Sequence, residues 1–490
     1  MRDVYSKADH VFVWLGEEDG TIALAISSIH AIVAQCKEET QNFVKLVDII
    51  WADKTYTYSD AGLPSVCDWE ALYSFFSSPW HTRLWPIQEV CLAKEAICHR
   101  GQHTILWSKI ALAARWMYHR KYWTIGNQRC RGLDCAAEVY HSSGGPNGLY
   151  EHLQLCPYFD ATDPRDKIFG LLGLRPPSSP GAEGQSFAIV PNYQRMSLKD
   201  VYAAAARVAI AEGSFVVLKR ATFLLPPPLD IPYPDTLQIG SFPSWVPRLD
   251  GSWDARRGSP MPIIARAGKS AGGDFRLRPV SLPDDADVLL LRGLVVTKVA
   301  RTSKPLSYEV LDDPAEAANV IRHAWAIATE QYSASYDARG ALIMFIFTLT
   351  SAGRNANGQM IYGDLAHEQR FAAFMLNHGG LDTQVDKVLS GFVADHDPKE
   401  FLGSLVETTM NRCYIIGNSG EQALGPIGVQ VDDILVIILG ADVPFILRPV
   451  ENKWRLIGDA YVHGIMEGEY IEMMNIRGIL DKNVLQFATI

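Results

Sequence analysis

The sequence predicts an α/β N-terminal domain, a mainly helical middle, and an α+β C-terminal region with a β-rich end. Three observations set this division. Over residues 1–105 strand-like and helix-like patterns alternate, the order of a sheet with helices on its faces. Over 106–285 helical segments are joined by loops rich in proline and glycine. Over 286–490 strands and helices mix, and from Cys413 onward short apolar runs separated by glycines suggest a small barrel or sandwich-like sheet.

The elements follow in order. His10 to Gly16 reads as a buried strand ending at a glycine, and a helix follows from Ile22 to Lys37. Asp68 can cap a helix that carries Trp69, Leu72, Tyr73 and Phe76 at the spacing of a core-facing stripe. Ser78-Pro79 ends it. A second helix begins near Trp85, with Pro86 in the first turn, where a missing N–H costs nothing. Ala96 to Cys98 is a short strand. In the middle region helices fit Trp107 to His119, Gly148 to Leu155, Pro164 to Leu172 and Ser197 to Glu212. Ser197 is a cap candidate for the last of these and Gly213 its stop. Arg175 to Gly181 and Leu225 to Leu229 are proline-rich loops. Val288 to Val299 reads as one or two strands, followed by helices over Pro314 to Tyr332 and Asp364 to His378. Strands then fit Asp433 to Leu439, Pro444 to Leu447 and Trp454 to Val462.

Composition narrows the function classes. With 48% apolar and 20% charged residues the 490-residue chain can bury real cores. A net charge of −10 argues against a general nucleic-acid or anionic-membrane binder. The local basic stretch from Arg256 to Arg278 reads as a solvated loop. Eight sparse cysteines, several in apolar runs, fit reduced buried thiols rather than a disulfide framework. Cys130 and Cys135 lack a second close pair, so a zinc site is disfavoured. The start lacks the apolar core of a secretion signal, and no apolar run nears the ~20 residues of a membrane helix. The default expectation is a cytoplasmic protein.

Familiar catalytic signatures do not fit. Gly268-Lys269-Ser270 ends like a phosphate-binding loop, but the required earlier glycine is Ile263. No dinucleotide-binding glycine motif, zinc-protease motif or nucleophile elbow is present. His81, His99 and His103 cluster in sequence without completing a ligand set.

A set of phrases is more specific. They are Tyr5-Ser-Lys-Ala-Asp-His-Val-Phe-Val-Trp14-Leu15-Gly16, Arg83-Leu-Trp85-Pro-Ile-Gln88-Glu89-Val90, and Asp163-Pro-Arg-Asp166-Lys-Ile-Phe-Gly-Leu-Leu-Gly173. Pro191-Asn-Tyr193, Ser244-Trp-Val-Pro247, Gly425 to Asp433 and Ala460 to Gly464 follow. In this order they resemble fungal heterokaryon-incompatibility (HET) domain proteins through nearly the whole chain. The first two phrases correspond to the HET domain, the later ones to the region that commonly follows it. The family's opening Ser-Tyr-x-Trp-Gly-like strand and a block rich in Trp, Asp, Cys, Asn and Gln are absent, so the domain is read as N-terminally truncated. The usual nucleotide-binding oligomerisation domain and WD repeats are absent too.

The resemblance implies non-self recognition and programmed cell death. HET domains distantly resemble TIR domains, some of which cleave NAD with a glutamate in a Trp-Cys-x-x-Glu-Leu-like phrase. Trp85 to Val90 is similar in spacing, which implies Glu89 as catalytic carboxylate and Arg83, Trp85, Gln88 and Trp14 as residues that hold the nucleotide. NAD is then a substrate, and no metal or bound cofactor is implied. A single carboxylate beside the ribose suits an oxocarbenium-like transition state. Trp85 and Glu89, at i and i+4, share a face if the helix includes Trp85. The implied partners are proteins, another HET or nucleotide-binding protein among them, with self-association and neither nucleic acid nor membrane.

An ordinary reading stands beside this one. Glu89 lies in the first turn of a helix, where a negative charge gains ~0.3–1 kcal/mol, and Arg83 can pair with it. Asp163, Pro164 and Asp166 fit a helix start, and Asp432-Asp433 a solvated turn. Two non-enzymatic alternatives follow: an interaction or regulatory remnant of a HET protein, and a degenerate product whose N-terminal sheet has unpaired edges.

Overall fold

The structure, a computed structural model, describes residues 2–39, 67–119, 124–125, 128–142, 149–153, 155–156, 158–174, 189–221, 242–250, 263, 270–273, 285–330, 337–351, 365–392 and 397–490. The chain divides into two units, Met1–Val208 with Leu249–Trp253, and Ala209–Arg248 with Asp254–Ile490. Residues 106–208 of the expected middle region thus join the first. The proline-rich loops and most of the basic stretch lie outside the described residues.

In the first unit, helix α1 (Arg2–Lys7) precedes strand β1 (Val11–Gly16) and helix α2 (Ile22–Glu39). Helix α3 (Trp69–Phe76) begins as its cap residue dictates, with the Asp68 carboxylate accepting from the Ala71 N–H at 2.8 Å. Its buried face is Ala71, Leu72, Phe75 and Phe76, while Trp69 and Tyr73 are only half-buried. The stripe is therefore rotated from the expected one, centred on the two adjacent phenylalanines. A 3-10 turn at Pro79–Thr82 leads to helix α4 (Pro86–Leu92). Strands β2 (Ala96–Arg100) and β3 (His103–Leu106) complete a three-stranded sheet of order β1-β2-β3, the first pair parallel and the second antiparallel.

Helix α5 (Trp107–His119) packs on α2 and on α6 (Arg131–Ser142), which sequence patterning did not reveal. Between them lies the two-residue hairpin β4 (Thr124–Ile125) and β5 (Gln128–Arg129). Helices α7 (Leu149–Leu153), α8 (Asp166–Leu172) and α9 (Leu198–Ala211) follow. The start of α9 is a capping box: Ser197 Oγ accepts from Asp200 N at 3.2 Å, and Asp200 returns the bond to Ser197 N at 3.0 Å.

The second unit is built on a barrel. Helix α10 (Val216–Lys219) precedes the 14-residue strand β6 (Leu289–Thr302). Helices α11 (Tyr308–Asp312), α12 (Pro314–Thr329), α13 (Ala338–Leu349), α14 (Leu365–Asn377), α15 (Val385–Phe392) and α16 (Pro398–Thr409) follow. Asp313 and Asp397 cap α12 and α16, each with proline in the first turn. The strands are β7 (Arg412–Gly417), β8 (Gln422–Pro426), β9 (Ile434–Ile438), β10 (Phe445–Val450), β11 (Lys453–Asp459), β12 (Tyr461–Val462) and β13 (Leu485–Thr489), with short helices α17 (Glu469–Ile476) and α18 (Leu480–Asn483) before β13.

Strand order is β12-β8-β7-β6-β13-β11-β10-β9, and β9 also pairs with β6. The ring β6-β13-β11-β10-β9 therefore closes, which resolves barrel against sandwich in favour of the barrel. Strand β6 serves three neighbours because it is long and its register shifts at Val295/Thr297 and Val299/Arg301. The expected solvated turn at Asp432-Asp433 is half right. Asp432 is exposed, but Asp433 is buried and binds Arg448 at 2.8 Å and 2.9 Å, because the strand start tucks it under β10. All eight cysteines are free thiols and six are buried. Among the described residues no helix is long and apolar enough to cross a membrane.

Candidate functional site

The segment before α4 is pinned by its main chain. Asp160 N donates to Thr82 O at 2.6 Å, and Leu84 N donates to Asp160 O at 3.0 Å. Arg131 holds Asp160 through both carboxylate oxygens, at 2.9 Å and 2.7 Å. Pro86 then starts the helix with its φ already set, and Trp85 falls at the N-cap rather than inside the helix.

Helix α4 and the turn before it approach α8 closely because glycines stand where contact is made, Gly170 within α8 and Gly173 at its C-cap. A Cβ on Gly170 would sit 2.8 Å from Leu84 Cδ2, and one on Gly173 would sit 2.6 Å from Gln88 Oε1. Gln88 is buried against this surface and donates to the Gly170 carbonyl at 2.5 Å. Its Oε1 is buried with no hydrogen-bond partner among the described residues. Trp85 donates its indole N–H to Asp166 Oδ2 at 3.1 Å, and the Tyr193 hydroxyl bonds the other oxygen of Asp166.

Asp163 and Arg165 extend this network. Asp163 accepts from Arg165 N at 2.9 Å and from its guanidinium at 3.0 Å and 2.7 Å. Those bonds hold the Asp163 carboxyl below its ordinary range. Arg165 also donates to the carbonyls of Tyr193 and Met196, and lies 5.0 Å over the Tyr193 ring. Burial, with the hydrogen bond to Asp166 next, pushes the Tyr193 hydroxyl to about 12. Helix α8 starts at Asp166, later than the expected Pro164, because Asp163 first closes a turn onto Arg165. Lys167 is buried and donates to the carbonyls of Cys156 and Phe159. Three phrases separated in sequence thus form one polar interface.

Glu89 sits elsewhere, beside β2. It is half-buried, and burial raises its pKa above the ordinary glutamate value. The Arg83 charge and a hydrogen bond from Trp80 oppose the rise without cancelling it. Its field reaches Tyr5 of α1 and Cys98 of β2. Burial and then Glu89 raise the Tyr5 hydroxyl, and the same causes push the Cys98 thiol to about 12. Trp80 is held edge-on to Trp107 at 5.3 Å and to His81 at 5.4 Å, which fixes its indole. His81 is buried among Phe75, Phe76, Trp80 and Trp107; burial, then Arg100, lowers its pKa to about 3, so it is neutral at physiological pH.

Of the residues expected to hold a nucleotide, Arg83 alone acts on Glu89. It is exposed and works by charge, since no direct Arg83–Glu89 ion pair closes. Trp85 and Gln88 are engaged with α8. Trp14 is 54% exposed, whereas Val13 and Leu15 beside it are buried. Val13 pairs with Cys98, whose thiol feels Glu89, so alternation puts Trp14 on the opposite face of the sheet. Tyr5 and Trp80 were missed as neighbours of Glu89. Tyr5 opens the first quoted phrase and Trp80 shortly precedes the second, but nothing in their spacing aims them at Glu89.

A carboxylate so placed can stabilise a developing cation or accept a hydroxyl proton. Among the described residues no group of three or more His, Cys, Asp or Glu is arranged to hold a metal.

Known proteins resemble both ends of the chain. The family model described as heterokaryon incompatibility protein (HET) matches residues 1–89, ending on Glu89. The Het-6 beta-barrel domain matches residues 379–478, which include β7 to β12. Heterokaryon incompatibility protein 6, OR allele, of Neurospora crassa is 21% identical over 582 aligned positions, covering 96% of this chain and 78% of that protein. No solved structure matches. With a HET segment through α4, a Het-6 barrel in the second unit and a relative aligned along nearly its whole length, the chain is a HET-domain protein.

Proposed function

We propose that the chain acts in heterokaryon incompatibility, the role printed in the name of its Neurospora relative, and that Glu89 does so by cleaving NAD. The observation that carries the chemical part is a half-buried carboxylate whose charge is incompletely compensated by its neighbours. In the proposed reaction water attacks the anomeric carbon of the ribose. The bond to nicotinamide breaks, its electron pair leaves with nicotinamide, and ADP-ribose and a proton are released. The transition state is oxocarbenium-like, and an ionised carboxylate in a partly dry site stabilises that charge more than one in water. Arg83, exposed beside Glu89, suits the diphosphate of the nucleotide. Loss of NAD then leads to cell death in the cytoplasm, with assembly on another HET or nucleotide-binding protein as the trigger.

The test is NAD consumption by the full chain and by Glu89→Gln. The proposal expects turnover that the variant loses by at least ~100-fold, the scale of one electrostatic stabiliser. Equal background rates would end it.

A second reading is favoured by Trp85 and Gln88 being engaged with α8 and Trp14 lying on the other face. In it the chain is a non-enzymatic interaction module, and the Arg83–Glu89 phrase is the joint that positions α4. Equal NAD rates, with Trp85→Ala disrupting folding rather than turnover, support this reading.

A further inference from the structure

Among the described residues strand β1 has a neighbour on one side only. Val11 donates its N–H to the Glu95 carbonyl at 2.9 Å, and the strand runs parallel to β2 from there. Main-chain groups alternate between the two sides of a strand, so those of Phe12 and Trp14 turn away from β2. Among the described residues no strand lies on that side. The same two residues carry their side chains onto one face of the sheet, where among the described residues Phe12 is 68% and Trp14 54% exposed. His99 of β2 flanks them, its ring 5.6 Å from that of Phe12. One strip therefore combines unpaired hydrogen-bonding groups with exposed aromatic surface, the combination that recruits another strand.

The strip is self-complementary. Val11-Phe12-Val13-Trp14-Leu15 alternates aliphatic and aromatic residues symmetrically about Val13. We propose that β1 pairs antiparallel with β1 of a second copy across a two-fold axis at Val13. In that register Phe12 of each copy stands opposite Trp14 of the other. Both residues turn their main-chain groups outward, so they form the hydrogen-bonded pairs, and the two Val13 residues face each other between them. Cross-strand aromatic pairs are among the favourable ones, and a two-fold contact closes at two copies. At the ends, each copy's Glu17 arrives at the other's Asp9, whose charge Lys94 already offsets at 2.7 Å. The area sets the strength. At ~150–250 Å² per aromatic side chain, with 68% and 54% of each exposed, the two rings offer roughly 180–300 Å² per copy and about twice that over both copies. That is well below the ~1,200–2,000 Å² of a stable complex, so the dimer is weak and concentration-dependent.

The experiment is sedimentation equilibrium of the full chain from micromolar to several hundred micromolar. The wild type is expected to pass from monomer to dimer. Phe12→Glu with Trp14→Glu sets like charges opposite each other and should weaken the dimer more than about tenfold. Both sites are exposed, so circular dichroism and thermal unfolding should not change. Phe12→Lys with Trp14→Glu sets opposite charges face to face and should restore the dimer. A wild type that stays monomeric, a dimer untouched by the two glutamates, or a Lys/Glu variant as monomeric as the double glutamate would each overturn the proposal.

Discussion

Arg412 in the barrel and Glu89 beside the N-terminal sheet are both charged side chains drawn in from solvent, but their surroundings differ. The Arg412 and Asp459 side chains are fully buried and meet through bonds of 2.9 Å and 3.0 Å, and Arg412 also reaches the Asp459 carbonyl at 2.9 Å. Asp459 further accepts from Ile263 N. Glu89 has one indole donor and a nearby guanidinium without a direct ion pair, and burial wins. The backbones differ in the same sense. The barrel ring closes on itself, whereas β1 keeps an edge with no described neighbour. A charge with complete compensation serves the fold, while one left short of compensation can stabilise charge on something that arrives.

The largest expected effect breaks the barrel side of this comparison. Arg412→Met leaves Asp459 buried and unpaired and should cost about 3–5 kcal/mol, read by chemical denaturation. Arg412→Met with Asp459→Leu should recover much of that loss, because no orphaned charge remains. Recovery of nothing would mean that the pair's other bonds, to the Ile263 main chain among them, dominate.

Next in size is the α4–α8 joint. Gly170→Ala should cost about 1–3 kcal/mol, since the new methyl meets Leu84 at 2.8 Å within a packed interface. Leu84→Ala should be less harmful in the Gly170→Ala background than alone, a coupling that a double-mutant cycle measures. Additive losses would show that the two helices do not meet as described.

The smallest effect concerns Glu89 itself. Its folded pKa is raised, so ionisation at neutral pH opposes folding. The sign follows: the protonated form's stability is fully present below the unfolded pKa and is lost as pH rises through the folded one. Glu89→Gln should therefore unfold at a slightly higher temperature than wild type at neutral pH, with the gap closing on acidification. A gap of the opposite sign would mean that Trp80 and Arg83 compensate the carboxylate fully.

Local signals carried much of the fold. Asp68 and Ser197 each mark a helix start where the structure has one, and the helix expected from Pro314 starts there, behind an Asp313-Pro314 cap that the sequence reading did not name. Asp397-Pro398 gives the same signal for α16 and was overlooked. Barrel closure was not legible, because it depends on β6 shifting register against β9 at Val295/Thr297 and on Trp454 pairing with Thr489 beyond two intervening helices. At the site, Glu89 was found through a phrase. The contacts that sort its neighbours are long-range: Trp85 to Asp166 spans 81 residues and Gln88 to Gly170 spans 82. Helical spacing cannot show that those two side chains turn to α8, nor that strand alternation carries Trp14 to the other face.

The most direct test of Glu89 as the working carboxylate is the pH profile of NAD consumption by wild type and Arg83→Ala. The carboxylate must be ionised to act, so turnover should fall on acidification with a midpoint above the ordinary glutamate value. Removing Arg83, which lowers the Glu89 pKa, should move that midpoint further up. A profile without an acid limb, or one that Arg83→Ala leaves in place, would contradict this assignment.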